Sequence, residues 1–225
     1  MPTITLKNTV YKNKLLLDFL DHSTTLSPFY NGSSLEIIDE HFMSNRDLHI
    51  DQRKFLVNAL VSQYNSIGVE TPSGVHQLEK KGIYTVTTGH QLCFMGGPQF
   101  FIHKIISTIK SCQLLKEKYS QNDFIPVFWM ASEDHDFQEI SHTTIFGKKF
   151  SIEDTHDTIA VGRLKSSVFQ SLHEEVKEFF KTDEKFKILE DLFEKAMSFD
   201  SWSKTTRFWV HHLFKDYGLV ILDAD

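Results

Sequence analysis

Apolar and polar positions along this chain alternate between helical and strand periods, and the switches predict its elements. From Leu15 to Tyr64 the spacing is helical, interrupted by polar breaks at Ser27-Pro28 and Asn31-Gly32. Within it Phe55, Leu56, Ala59, Leu60 and Tyr64 follow the i, i+4 recurrence of a buried helical stripe. Gly68 to Gly74, with Thr71-Pro72-Ser73, predicts a connector. Ile83 to Thr88 is β-branched and aromatic, the signature of a strand. After Gly89 to Gly97 the pattern turns helical at Pro98, and a proline at the first helical position sacrifices no hydrogen bond. Phe101, Ile102, Ile105, Ile106, Ile109 and Leu115 keep one face of that helix apolar to about Tyr119. Phe124 to Met130 is apolar almost without break, which predicts a parallel strand buried on both faces. Strand, helix and strand together form one right-handed crossover unit.

Beyond it the alternation weakens. From Thr143 to Arg163, including Ile152 and Thr158-Ile159-Ala160-Val161, it predicts short strands of an inserted region. Two charged helices follow near Ser167–Lys181 and Glu184–Met197, then a helix over Ser201–Asp216 closed by Gly218. Leu219 to Leu222 reads as a third parallel strand, followed by Asp223-Ala224-Asp225. The expected fold class is α/β, a parallel sheet with flanking helices and an inserted α+β connecting region. Residues 1–75 form a helical segment, 76–145 the first half of the sheet domain, 146–200 the connecting region, and 201–225 the returning helix and strand.

Composition narrows the class. A chain of 225 residues with 40% hydrophobic positions buries a sizeable core and is neither disordered, collagen-like nor a coiled-coil rod. Its 30 acidic against 24 basic residues, net −6, argue against a nucleic-acid partner. No apolar run reaches the roughly 18 residues of a membrane span, and the first twenty or so residues lack a signal-peptide pattern. Two cysteines, Cys93 and Cys112, make no disulfide framework and no CxxC pair, so the expectation is a reduced, cytoplasmic protein without a membrane partner. Glycine is scarce at 10 residues, yet Gly89, Gly96 and Gly97 fall together.

That cluster directs attention to the carboxyl ends of the strands, where open parallel sheets bind ligands. The turn from Gly89 to Pro98 leads into a helix, whose N-terminus offers N–H groups and a favourable dipole to an anion. It matches neither GxxxxGK[ST] nor GxGxxG, so an ordinary tight strand-to-helix turn is the competing reading. His103 and Lys104 follow a turn and a half into the helix, facing either the crevice rim or solvent. After the apolar strand come Ser132-Glu133-Asp134-His135-Asp136 and, further on, His142. So many ionisable groups beside a buried strand are costly unless they line a polar site. They suit general acid–base work, with His135, Asp136 and His142 as a metal-ligand alternative and an acidic helix cap as the structural one. Cys93 is a buried structural thiol or a nucleophile, and His211-His212 a packing pair. Asp223 and Asp225 fall at the ligand side of the third strand.

Thr88-Gly89-His90-Gln91, Phe94, Gly96-Gly97-Pro98 and Ile102-His103-Lys104-Ile105-Ile106-Ser107 resemble the N-terminal Rossmann-like domain of the BshC family. So do Ile125 to Asp136, Glu139-Ile140, His142 and the closing Tyr217 to Asp223. The resemblance implies a core related to class I aminoacyl-tRNA synthetases and an enzyme of bacillithiol biosynthesis that joins cysteine to the amino group of glucosaminyl-malate. Such an amide requires carboxylate activation, and the fold suggests adenylation by ATP or another adenine nucleotide. Carried over by position, Gly89, Gln91, Gly96, Gly97, Pro98, His103 and Lys104 would hold the nucleotide. Glu133, Asp134, His135 and Asp136 would line the catalytic pocket, with no resident metal. The turn departs from the family at Cys93-Phe94-Met95-Gly96-Gly97-Pro98, where a hydroxyl residue is expected. Family members also continue past this length. The expectation is therefore an enzyme truncated at its C-terminus, acting with a separate C-terminal half or as a homo-oligomer. A non-catalytic, degenerate binding module and a metal-dependent hydrolase are the alternatives.

Overall fold

The computed structural model describes residues 13–21, 23–29, 38, 43, 48–153 and 158–225. The chain divides into two units, Met1–Asp47 and Leu48–Asp225. The described part of the first carries α1 (Lys14–Leu20), which Asn13 opens by accepting a hydrogen bond from the Leu16 N–H, and a 3₁₀ turn at Ser27–Phe29. The expected break at Asn31-Gly32 lies outside the described residues.

The second unit is α/β. Its helices are α2 (Ile50–Asn65), α3 (Ser73–Gln77), α4 (Phe100–Lys118), α5 (Phe137–Ile140), α6 (Gln170–Phe180), α7 (Glu184–Met197) and α8 (Trp202–Phe214). Its strands are β1 (Ile83–His90), β2 (Asp123–Met130), β3 (His142–Ile145), β4 (Lys148–Ser151) and β5 (Val220–Asp223). Three of them form a parallel sheet, as the apolar runs predict, and their order is β1-β2-β5. The register sets His90 beside Met130 and Met130 beside Asp223, so all three strands end on one row. Whatever follows them in sequence emerges at a single edge.

Helix α4 packs on β1 and β2, and α8 and α2 pack on β5. An aromatic cluster ties α8 to the turn after β1: Trp202 stacks 3.8 Å from Phe169 and 6.0 Å from Phe94. The Trp202 indole N–H donates to the Leu92 carbonyl at 2.7 Å, the kind of partner a buried indole requires.

Four expectations change. The stripe of α2 is Arg53, Val57, Leu60 and Tyr64, while Phe55 is 77% exposed. Arg53 is buried because its guanidinium donates to the carbonyls of Leu48, Leu78 and Ile83, which satisfies a charge that sequence patterning assigns to the surface. Strand β2 is buried from Ile125 to Phe128, but Trp129 is 42% exposed beside β1, which is an edge strand among the described residues. Helix α4 begins at Phe100 rather than Pro98, because Met95, Gly96 and Gly97 all take positive φ and carry the chain through a sharp turn first. The inserted region holds a β3–β4 hairpin turning on Phe146 and Gly147, both at positive φ as a type I′ turn requires. Val161–Arg163 is instead a 3₁₀ turn, whose Val161 and Gly162 N–H groups donate to the Asp134 and Ser132 carbonyls at 2.7 and 2.9 Å. Residues 154–157 lie outside the described ones.

Candidate functional site at the carboxyl edge of the sheet

Three chain segments meet at the shared end of the strands: the turn after β1, the loop after β2 and the tail after β5. The turn is rigid. Leu92, Cys93 and Phe94 are buried, and Gly97 sits at φ 52°, ψ −134° with its Cα against Cys93. A Cβ at Gly97 would lie 2.5 Å from the Cys93 Cβ, so only glycine closes this turn.

The two sequence motifs meet directly. The Gln91 side-chain N–H donates to Asp134 Oδ2, while Asp134 Oδ1 accepts the His135 backbone N–H at 2.6 Å. These bonds, the His135 N–H first and Gln91 second, hold the Asp134 carboxyl below its ordinary pKa and keep it anionic. The side-chain Oε1 of Gln91 is buried and lacks a partner among the described residues. It therefore presents an acceptor to a donor such as an amine, next to a fixed carboxylate. Lys104 reaches back from α4 to donate to the Gly89 carbonyl at 3.1 Å, placing an ammonium at the turn.

The other predicted residues divide. Glu133 and His135 are exposed on the loop, and His103 is exposed on α4. Asp136 caps α5, accepting the Glu139 N–H at 3.1 Å, so the helix-cap reading holds for that one carboxylate. His142 Nδ1 lies 3.0 Å from the Gln138 carbonyl. His135, Asp136 and His142 form no cluster at ligand distance among the described residues.

Asp223, held in reserve by the sequence, and Ser132, the first residue of the second cluster but given no role of its own, knit the edge together. Ser132, fully buried, donates to Asp223 Oδ1 and accepts the Ala224 and Asp225 N–H groups at 3.1 Å each. Asp223 Oδ2 accepts from Ser203, and the Asp223 backbone bonds Gln63 in both directions. Beneath it lies Arg207, 1% exposed, which donates to Gln63 Oε1 and lies 5.2 Å from the Tyr64 ring centroid. Asp225 pairs with Arg163, which draws its carboxyl pKa down. Cys93 is close to His90, Sγ to Nδ1 3.7 Å, but burial and the nearby Glu139 charge push its thiol up to about 12. Desolvation also lowers the His90 pKa. The two therefore do not form the thiolate–imidazolium pair of a cysteine nucleophile.

Comparison with known proteins places this edge in context. The family model described as "Bacillithiol biosynthesis BshC, N-terminal Rossmann-like domain" matches residues 1–225. The chain belongs to this family. A protein of Flavobacterium johnsoniae named "Putative cysteine ligase BshC" is 38% identical over 234 residues, covering 100% of this chain and 44% of that relative. The protein of the same name from Flavobacterium psychrophilum is 36% identical over 238 residues with the same coverage. One from Cytophaga hutchinsonii is 35% identical over 95% of this chain. The chain thus spans less than half the length of these curated relatives. The resemblance to this family is borne out, as is the Rossmann-like sheet with flanking helices. Among the described residues no helix is long and apolar enough to cross a membrane.

Proposed function

We propose that this chain forms the N-terminal part of an enzyme that joins cysteine to the amino group of glucosaminyl-malate, completing bacillithiol. The observation that supports this most is the Gln91–Asp134 bond. It brings a turn from one strand and an acidic loop from the next into one polar site, in a chain of the BshC family. The reaction class is amide formation, in which an amine displaces the leaving group of an activated carboxylate. ATP, when bound, supplies that leaving group.

The residues fit an adenine nucleotide at the turn. Lys104 brings a cation to the Gly89 carbonyl, Gln99 opens α4 without a side-chain cap, and Gly97 closes the turn against Cys93. Gln91, Pro98 and His103 lie along that side, while Gly96 packs the turn against Trp209. On the facing loop, Asp134 is the anion best placed to hold an incoming ammonium group, with the unpartnered Oε1 of Gln91 on the side chain that bonds it. Glu133 and His135, exposed on the same loop, contact the rest of the substrate. Asp136 acts through α5, which it caps, and is a positioning residue. Both substrates are small molecules, and the segment that continues the relatives' chains supplies the rest of the pocket.

The test is product formation from cysteine, glucosaminyl-malate and ATP, followed by mass spectrometry of the thiol. It uses this chain with the C-terminal remainder of a relative added in trans. Asp134→Ala should abolish product, and Asp136→Ser, which keeps a cap, should retain most of it. Undiminished product from Asp134→Ala would overturn the assignment.

A further inference from the structure

A histidine, a thiol and a carboxylate converge beside the Gln91–Asp134 pair without taking part in it. His90 ends β1, Cys93 lies in the turn that follows, and Glu139 is carried by α5 after β2. Each offers a ligand atom within 4.8 Å of the other two. We propose that His90, Cys93 and Glu139 form a binding site for one divalent cation of the zinc class.

The distances suit it. Tetrahedral zinc with bonds of about 2.0–2.3 Å sets its ligands about 3.3–3.8 Å apart, and Cys93 Sγ already lies 3.7 Å from His90 Nδ1. The donor set is one sulfur, one nitrogen and one oxygen, which favours zinc over magnesium or calcium, both of which take oxygen shells. Two ligands are held by packing rather than left to find their place. The His90 ring lies 4.9 Å from Phe100 and 5.2 Å from Phe101, centroid to centroid, and its Nδ1 is 3.1 Å from the Gln91 carbonyl. Ligation through Nδ1 leaves the ring proton on Nε2 and ends the contact to that backbone carbonyl. Cys93 is held against Gly97, where any side chain would collide with it. His90 and Cys93 are buried while Glu139 is exposed, so the third ligand stands at the mouth and gives the ion a way in. Three protein ligands leave a fourth position for water or a substrate atom, the pattern of open rather than closed zinc sites. The cluster was not legible as a motif. Its members are separated by 3 and 46 residues and meet only because β1 and β2 end in register.

The untagged 225-residue chain, stripped of metal, should bind one equivalent of cobalt(II). The expected signature is thiolate-to-cobalt charge-transfer absorption with tetrahedral ligand-field bands, displaced by zinc. Cys93→Ser should lose the charge-transfer band and Cys112→Ser should keep it. Glu139→Gln, an exposed change that leaves the fold intact, should keep the band but weaken cobalt affinity at least roughly tenfold, the lower end of what even outer-shell changes cost. Absence of the band in the parent chain would overturn the proposal. So would its persistence in Cys93→Ser, or unchanged affinity in Glu139→Gln. None of these readouts depends on ligase activity, so failure here leaves the cysteine-adding reading standing, and the reverse.

Discussion

Gly97→Ala tests whether the turn after β1 is built as described. At φ 52°, ψ −134° the backbone occupies a region that only glycine enters freely, and holding alanine there costs about 1–3 kcal/mol. The new Cβ would also stand 2.5 Å from the Cys93 Cβ and 3.2 Å from its Sγ, inside a buried turn that Phe94 and Trp202 hold in place. Overpacking of that kind costs a further ~1–3 kcal/mol. Stiffening the unfolded chain returns only about 0.4–1 kcal/mol. The net loss is about 3 kcal/mol, which lowers the melting temperature by roughly 6–12 °C in a unit of this size. Gly68→Ala is the matched control. Gly68 also has positive φ, 65°, but a Cβ there meets nothing within 4 Å, so only the left-handed strain of about 1–2 kcal/mol applies. Urea denaturation followed by far-ultraviolet circular dichroism measures both. If Gly97→Ala proves as stable as Gly68→Ala, the close approach of Gly97 to Cys93 is refuted.

Three further outcomes follow from the same geometry. Ser132→Ala leaves Asp223 Oδ1 and the Ala224 and Asp225 N–H groups without a partner they now share, at a cost of about 2 kcal/mol; a urea midpoint within error of the parent would contradict this. The His211 pKa is pushed down to about 4 by burial, with His212, Lys215 and Arg207 adding like charge. Because the folded value lies below the ordinary 6.5, this contribution to stability is complete above pH 6.5 and is lost as pH falls toward 4, by up to about 3 kcal/mol. Replacing His211 with glutamine should flatten the urea midpoint across that window, and an unchanged slope would count against a buried neutral imidazole. Both thiols, Cys93 and Cys112, are buried and raised to about 12, so an aromatic disulfide reagent at pH 8 should label neither until urea unfolds the chain. Prompt native-state labelling of either would show that its cover opens.

The sheet was legible because a parallel strand covered on both faces needs an unbroken apolar run, and Phe124 to Met130 supplies one. Helix faces were less so. Phe55 and Arg53 exchange the places that hydrophobicity assigns them, since a guanidinium with three carbonyl partners is cheaper to bury than sequence composition suggests. The 3₁₀ turn at Val161–Arg163 escaped because Thr158, Ile159 and Val161 are β-branched, while the decisive feature is Gly162, placed where a Cβ would strike Ser132.

The edge itself could be found from sequence, since two clusters of unusual residues each follow a strand. Which of their side chains remain free for chemistry could not. Carboxylates at 134, 136, 223 and 225 look alike in sequence, yet Asp136 is engaged in capping α5, Asp223 with Ser132 and Ser203, and Asp225 with Arg163. Asp134 differs from them because its Oδ2 faces the side chain of Gln91, whose other polar atom is left buried and unpartnered. That distinction depends on the one-row register of His90 and Met130, which sets the residues just past each strand opposite one another. A slip of one residue between β1 and β2 would invert which side chains face the core and would part Gln91 from Asp134. The register is fixed by Ile125, Val127 and Phe128 in the core, far from any reacting group. The packing of β2 therefore determines which carboxylate at this edge stands against Gln91.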